Sequence, residues 1–471
     1  MAQVEHPRRR DRRRVRRRRS RNGGPELSVA RRRTHNRIGA AARADLRWAF
    51  RADDTEILAA LAHGRHRRGL AEYFGAEMHA ELSALARRAG ARDRHTPRSV
   101  LIVPGMMGSR LAGARGAVIW IDPEHIAAGA LVRLTLPAGR SPRPRGVLLH
   151  GYARLYLTLR IEGFRPEFFA YDWRLGLETL GARLAAYLRR PGAPSLLIAH
   201  SMGGLVARSA VAQLPPGRLE RLIMLGTPHT GCFDPVLALR GTHPFVRSLA
   251  RIDRRHSAAW LAAHVFNTFP GLYDLLPERR GAAPDLLRPG GWPREGPQPI
   301  RELLAGARRA RDALAPADER MVHVVGTGEP TIETVRPGPG GLAYFTSTRG
   351  DGTVPVARTR LRGLKTLYVA AAHGALLRHP QVIAALLDLL RRGMTRRLSR
   401  RPSAPKGRAR SPGRRSRTDD ARLGAGEESK IEWRRLDGAQ RAALLEQLDG
   451  LPRRGTSRAA ARRPRKASAR P

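Results

Sequence analysis

Leu196-Leu197-Ile198-Ala199-His200-Ser201-Met202-Gly203-Gly204-Leu205-Val206 compresses a strand, a turn and the start of a helix into eleven residues. The apolar run is of buried-strand length, and the serine that follows it is flanked by small residues. This pattern predicts a nucleophile elbow, in which a sharp strand-to-helix turn lifts the serine hydroxyl above the end of a sheet. The positions two before and two after the serine must be small, because their side chains would collide across the turn. Here they are Ala199 and Gly203. Alanine departs from the usual G-x-S-x-G but meets the same steric need. The turn also sets the hydroxyl at a helix N-terminus, where partial positive charge favours a developing anion.

The surrounding chain has the rhythm such a turn needs. Short apolar runs at 100–103, 168–171, 195–199, 222–225, 322–325 and 367–370 alternate with helix-like stretches at 147–159, 175–188, 205–214 and 382–390. Continuous apolar runs suit parallel strands buried on both faces. Their alternation with helices predicts an α/β fold with a mostly parallel, doubly wound sheet over 99–395. Residues 232–318 break the rhythm and read as a cap insertion over the top of the sheet. Residues 40–92 read as helical, with Leu70, Phe74, Met78, Leu82 and Leu85 at spacings of three and four. The arginine-rich tract 1–24 and the basic tail 396–471 are expected to be disordered, the tail mostly so, with a short amphipathic helix at 440–448.

A serine is nucleophilic at neutral pH only beside a base, and the base needs an orienting acid. In this fold class the chain order is serine, acid, histidine. Gly350-Asp351-Gly352-Thr353-Val354-Pro355 supplies an acid in a glycine-flanked loop, and Ala372-His373-Gly374 follows the last strand. Both fall at carboxyl ends of strands, where α/β sheets gather their sites. His379 is the competing base. His200 adjoins the serine but is expected to point away from it. His229 and His243 precede Asp351, the wrong order, and read as surface or supporting histidines. Asp172 is the rival acid, although it precedes the serine. The oxyanion donors are expected from the amide of Met202 and from the loop Val103-Pro104-Gly105-Met106-Met107-Gly108, with Met106 first and Met107 next.

Composition bounds the partners. The formal net charge is +48, and of 88 basic residues only Lys365, Lys406, Lys430 and Lys466 are lysine. Such charge fits nucleic acid or an anionic membrane. The excess of arginine over lysine, with abundant Ala, Gly and Pro, better fits the codon bias of a GC-rich genome. Aromatic residues are scarce in the tails, so base stacking is unsupported and nucleic acid is the less favoured partner. The single cysteine, Cys232, excludes an intrachain disulfide. No Cys/His ligand cluster stands out, so neither metal nor cofactor is expected. Eleven arginines between Arg8 and Arg21 are followed by no apolar segment of the secretory type. The expectation is a cytoplasmic protein, peripheral to a membrane if its basic arms bind one.

With these residues in place, the chain resembles the lecithin:cholesterol acyltransferase family of α/β-hydrolases over about 100–390. The resemblance is carried by Pro104-Gly105-Met106-Met107-Gly108-Ser109-Arg110-Leu111, Val118-Ile119-Trp120-Ile121-Asp122-Pro123, Tyr171-Asp172-Trp173-Arg174, the elbow, Phe269-Pro270-Gly271-Leu272-Tyr273-Asp274-Leu275-Leu276-Pro277, the Asp351 loop and His373. It implies a triad of Ser201, Asp351 and His373, and a lipid ester substrate. It also implies that Trp120, Tyr171, Asp172 and Trp173 line or shape the acyl site; Arg174 reads as a partner of Asp172. The secreted vertebrate members use disulfides, which this chain cannot form, so a bacterial-type lipase or O-acyltransferase is the closer expectation. The alternative from another class is a non-enzymatic binder of nucleic acid or anionic membrane through the basic tails.

Overall fold

A computed structural model describes residues 40–91, 98–137, 142–338, 340–402, 416–424, 429–433, 436 and 440. The described chain opens with α1 (Ala40–Arg51), α2 (Asp54–His63), α3 (Arg67–Phe74) and α4 (Ala76–Gly90). β1 (Ser99–Val103) follows, then β2 (Ser109–Ala112), β3 (Val118–Trp120), the short α5 (Pro123–Ala127) and β4 (Arg143–Val147). Helix and strand then alternate through α6 (Leu149–Ile161), β5 (Arg165–Phe168), α7 (Leu177–Leu188), β6 (Leu196–His200), α8 (Met202–Val211) and β7 (Arg221–Leu225). The stretch 232–318 carries α9 (Asp234–Leu239), α10 (Pro244–Ile252), α11 (Ala258–His264), α12 (Pro270–Tyr273) and α13 (Arg301–Asp312). The chain returns to the sheet as β8 (Met321–Thr327), leaves it as β9 (Thr331–Gly338) and β10 (Gly341–Ser347), and re-enters as β11 (Lys365–Ala370) before α14 (Pro380–Arg392). β12 (Ser416–Asp419) and α15 (Asp420–Gly424) come last.

The central sheet has the order β11-β8-β7-β6-β1-β5 and is parallel throughout. Every residue of β6 and of β8 is buried, which is why those stretches are apolar without alternation. The chain passes from β1 to β5 on one side and then returns to lay β6 on the other. That reversal opens a crevice above the carboxyl ends of β1 and β6, the usual ligand position of a doubly wound sheet. β6 runs straight into the turn at Ser201. Parallel sheet, strand order and elbow together make this an α/β-hydrolase fold.

Around this core the sequence pattern needs three amendments. The strand expected at 168–171 lies at Arg165–Phe168, because Phe169 to Trp173 already belong to the loop above the sheet. The antiparallel pair β9/β10 was not read from the sequence. It is an excursion between β8 and the Asp351 loop, reversed at Gly338 to Gly341. The basic tail is not wholly outside the fold. β12 pairs antiparallel with β10 from Ala343↔Asp419 to Thr346↔Ser416, and Trp433 is buried. Tract 1–24 and all of the proposed helix 440–448 except Gln440 lie outside the described residues.

The N-terminal helices dock on the hydrolase core through buried polar groups. Arg110 donates to the Ala52 carbonyl at 2.7 Å and to Asp54 at 2.9 Å. His150 of α6 meets the Tyr73 carbonyl at 2.7 Å and packs against Phe74. No helix among the described residues is long and apolar enough to cross a membrane.

The tail is anchored by one buried ion pair. Asp420 accepts from Arg240 Nε at 3.1 Å, from the Leu342 amide at 3.0 Å and from the Tyr344 hydroxyl at 2.7 Å. Arg240 and Asp420 are each only 5% exposed. Removing one partner of such a pair leaves an uncompensated charge, at a cost of about 3–5 kcal/mol. Asp420→Ala should therefore lower the free energy of urea unfolding by an amount in that range, read as a lower midpoint at unchanged m value. Arg397→Ala, which breaks the exposed Arg397–Asp388 pair, should cost under about 1 kcal/mol. Equal effects would mean that the tail is not held by its buried charge.

Candidate active site

Ser201 has φ 53° and ψ −123°, a conformation that side chains rarely adopt. Its amide donates to the Leu225 carbonyl of the neighbouring strand at 2.8 Å. Met202 opens α8 directly afterwards, so its amide is among the helix donors without an intrahelical acceptor. A Cβ on Gly203 would stand 2.5 Å from the carbonyl oxygens of both Val103 and Pro104. The small-residue rule of the elbow is thus a contact with the end of β1.

The loop after β1 is fixed at most of its polar atoms. The Pro104 carbonyl accepts from Tyr171 Oη at 2.7 Å, and the Met107 carbonyl accepts from Trp120 Nε1 at 2.9 Å. The Gly105 amide donates to Tyr152 Oη at 2.9 Å, and Gly108 donates to the Gly105 carbonyl at 3.0 Å. Among the described residues the Met106 and Met107 amides have no protein acceptor, which leaves them available to a substrate oxygen. The loop lies against the nucleophile turn: a Cβ on Gly105 would come within 3.0 Å of Ser201 Cβ.

Asp351 and His373 come together although 22 residues separate them. His373 Nδ1 and Asp351 Oδ2 are 2.8 Å apart, and the His373 amide donates to the Asp351 carbonyl at 2.7 Å. Asp351 Oδ1 accepts from the amides of Thr353 at 3.1 Å and Val354 at 2.7 Å. The carboxylate is fully buried, yet both oxygens are engaged. Gly326 of β8 makes room, since a Cβ there would stand 2.7 Å from Asp351 Cβ. Burial disfavours the charged imidazole of His373. The charge and hydrogen bond of Asp351, helped by Asp234, outweigh it and hold the ring above the ordinary histidine value. With Nδ1–H committed to Asp351, Nε2 is left as the basic atom.

Ser201 and His373 line one cavity of about 200 Å³. Among the described residues Ser201 Oγ makes no hydrogen bond, and such bonds often tighten only in the complex with substrate. Met106, Leu148, Pro235, Val246 and Leu272 give the cavity a largely apolar wall. Part of that wall comes from the 232–318 segment. This arrangement suits attack on a carbonyl carbon: a strained hydroxyl, an oriented imidazole and unpaired amides converge on an apolar chamber.

The other candidates sort differently. Trp120, Tyr171, Asp172 and Trp173 are all buried, and none lines this cavity. Trp120 and Tyr171 brace the 104–108 loop, and Trp173 Nε1 donates to the Ser109 carbonyl at 3.0 Å. They shape the site from behind. Asp172 binds Arg174 in a fork at 2.8 and 2.7 Å, and Arg174 also holds the Leu134 and Pro142 carbonyls. His379 is outside the cavity, at the start of α14. His229 is buried beside His323 with ring centroids 4.7 Å apart. Among the described residues no group of three or more His, Cys, Asp or Glu side chains is placed to hold a metal ion.

One expectation about a histidine is corrected. His200 does not face away; it lines the cavity with its ring centroid 4.9 Å from that of His373. Its Nδ1 meets Tyr152 Oη at 3.2 Å and its Nε2 meets the His373 carbonyl at 3.4 Å. Burial first, then the neighbouring His373, push its pKa down to about 3, so the ring is neutral. With Tyr152 donating to Nδ1, His200 Nε2–H faces the carbonyl, and the Gly105 amide is linked to the His373 backbone. Tyr152 lies inside the largely buried helix α6, with no motif to mark it. His243 also lines the cavity.

No protein-family model matches the sequence, and no curated protein matches it. The similarities to solved structures are weak. The mature form of the Bacillus licheniformis lipase BlEst2 is 17% identical with a TM-score of 0.34, over 64% of this chain and 96% of that one. The propeptide form of that lipase gives 16% and 0.32, over 63% and 52%. A chain of the Tle4–Tli4 complex gives 13% and 0.32, over 50% and 75%.

Asp351→Asn tests the orientation of the base. The asparagine oxygen can still accept from Thr353 and Val354, but its amide would face Nδ1 and impose the wrong tautomer. Ester turnover should fall roughly 10⁴-fold. The wild-type kcat/KM should fall as the pH drops through a value above the ordinary 6.5, because the neutral ring is the active form. In Asp351→Asn the residual activity should persist to lower pH, since the charge that raised the base is gone. An unshifted acid limb would remove His373 from the role.

Proposed function

We propose that the chain is a serine-dependent acyl-ester hydrolase or O-acyltransferase, of the lecithin:cholesterol acyltransferase type, acting on lipid esters through an acyl-enzyme on Ser201. The observation that carries this reading is the 2.8 Å contact of His373 with the buried Asp351, beside a strained serine in the same apolar cavity.

In this reading His373 Nε2 takes the Ser201 proton as Oγ attacks the ester carbonyl. Asp351 stabilises the imidazolium that forms and holds its orientation. The Met202 amide and that of Met106, with Met107 as the alternative, receive the oxyanion. The imidazolium then gives its proton to the leaving alcohol, whose bond to carbon breaks. Water or a second alcohol attacks the acyl-enzyme with His373 again as base, and the released proton restores Ser201. Water yields a fatty acid, and an alcohol yields a new ester. Apolar side chains around the nucleophile favour an aliphatic acyl group, because a charged one would be desolvated there without a partner.

The decisive assay follows a short and a long acyl ester with wild type and Ser201→Ala, with a lipid alcohol in half of the reactions. Free fatty acid and new ester are measured together. The variant should lose roughly 10⁴-fold or more, and the product ratio separates hydrolase from transferase. Equal rates for the two proteins would overturn the reading and return attention to the basic tails as a polyanion-binding device.

A further inference from the structure

The cavity carries a second polar pole that the acyl-enzyme chemistry does not use. Asp234, the first residue of α9, and His243, just before α10, line it together with Ser201 and His373. His243 Nε2 and Asp234 Oδ2 stand 3.7 Å apart, beyond hydrogen-bond reach. The Phe245 amide donates to His243 Nδ1 at 3.1 Å. That bond makes Nδ1 the acceptor and places the proton of the neutral ring on Nε2. A donor N–H and a carboxylate oxygen therefore flank a gap too wide for a direct bond. Among the described residues no donor lies within hydrogen-bond distance of the Asp234 carboxylate.

The pair selects its ligand by elimination. An anionic group would be repelled by Asp234. An apolar group would shield both partly exposed polar atoms from water without replacing it, which costs free energy. A hydroxyl does neither: it donates to the carboxylate and accepts from the imidazole. We propose that Asp234 and His243 form a hydroxyl-binding subsite for the alcohol part of the ester or of the acyl acceptor. The alcohol oxygen that reacts must face His373, so the hydroxyl held here is a second one. The substrate class is a glycerol-like polyol ester or polyol acceptor. Asp234 also contributes to the raised value of His373, which places the subsite within electrostatic reach of the base.

This inference rests on the acyl-enzyme reading above. In the transfer direction His373 takes the proton of the polyol hydroxyl facing it, that oxygen bonds to the acyl carbon, the Ser201 Oγ–carbon bond breaks, and the proton passes to Oγ. Asp234 and His243 exchange no proton; they position the neighbouring hydroxyl.

The test compares the monoacyl glycerol ester with the propyl ester of the same fatty acid, which lacks the free hydroxyls. The readout is the ratio of the two kcat/KM values, in which any effect of Asp234 on the titration of His373 cancels. Wild type should favour the glycerol ester. Asp234→Ala and His243→Phe should each lower the ratio roughly ten-fold. Asp234→Asn and His243→Gln, which keep a polar atom in place and perturb folding least, should give intermediate ratios. A wild-type ratio near one, or a ratio unmoved by all four substitutions, overturns the subsite while leaving the acyl-enzyme intact. If wild type cleaves neither ester, the acyl-enzyme reading falls and the subsite with it.

Discussion

The close approach of α8 to the end of β1 governs the rest of the molecule. Gly203 lies against the carbonyls of Val103 and Pro104, with no room for a side chain. This contact holds Ser201 at positive φ, and folding must supply the energy that such a backbone costs. The supply is the apolar sheet: β6 is buried along its whole length between β1 and β7. Because β1 and β6 are neighbours, the loop that leaves β1 is carried to the serine by the same pairing that strains it. Trp120, Tyr171 and Tyr152 then hold that loop through its Met107 and Pro104 carbonyls and its Gly105 amide.

Two neighbouring histidines, with ring centroids 4.9 Å apart, are shifted in opposite directions. His200 is buried, bonded to neutral groups and pushed to about 3. His373 is buried too, yet the Asp351 carboxylate holds it above its ordinary value. The difference lies in the partner rather than in depth. A neutral His200 adds no positive charge beside the base and still passes a hydrogen bond between Tyr152 and the His373 carbonyl. The 104–108 loop and His373 are therefore coupled through side chains as well as through the sheet.

The cap is tied down from several directions. Asp274, buried and pushed up to about 6 by desolvation, accepts from the Leu177 amide at the start of α7 at 2.7 Å. Lys430 Nζ donates to the carbonyls of Ala250, Asp253 and His256 at 2.8, 2.8 and 2.9 Å, closing the end of α10. One of the four lysines of the chain thus has a structural task within a tail that reads as low complexity. Asp420 bolts the same tail to Arg240 at the end of α9. Both anchors bear on α9 and α10, which carry Asp234, Pro235 and Val246 of the cavity wall, so the basic tail is part of what positions that wall.

The sequence by itself determined the elements of short range and fixed order. The apolar run, Ser201 and Gly203 are local, and steric exclusion across one turn needs no distant partner. The parallel sheet follows from unalternating apolar runs between helices, and the order of serine, acid and histidine selects Asp351 and His373. Only the tertiary structure decided which residues face the cavity. Tyr152 sits in an unremarkable helix, His243 precedes the acid in the chain, and Trp120 and Tyr171 stand behind a loop rather than in front of it. Nor could a run of Arg, Ser and Gly show that Asp420 would be buried against Arg240, 180 residues away. Pairings of that length have no periodicity to betray them; they exist because packing removes both partners from water and leaves each as the other's remaining neighbour.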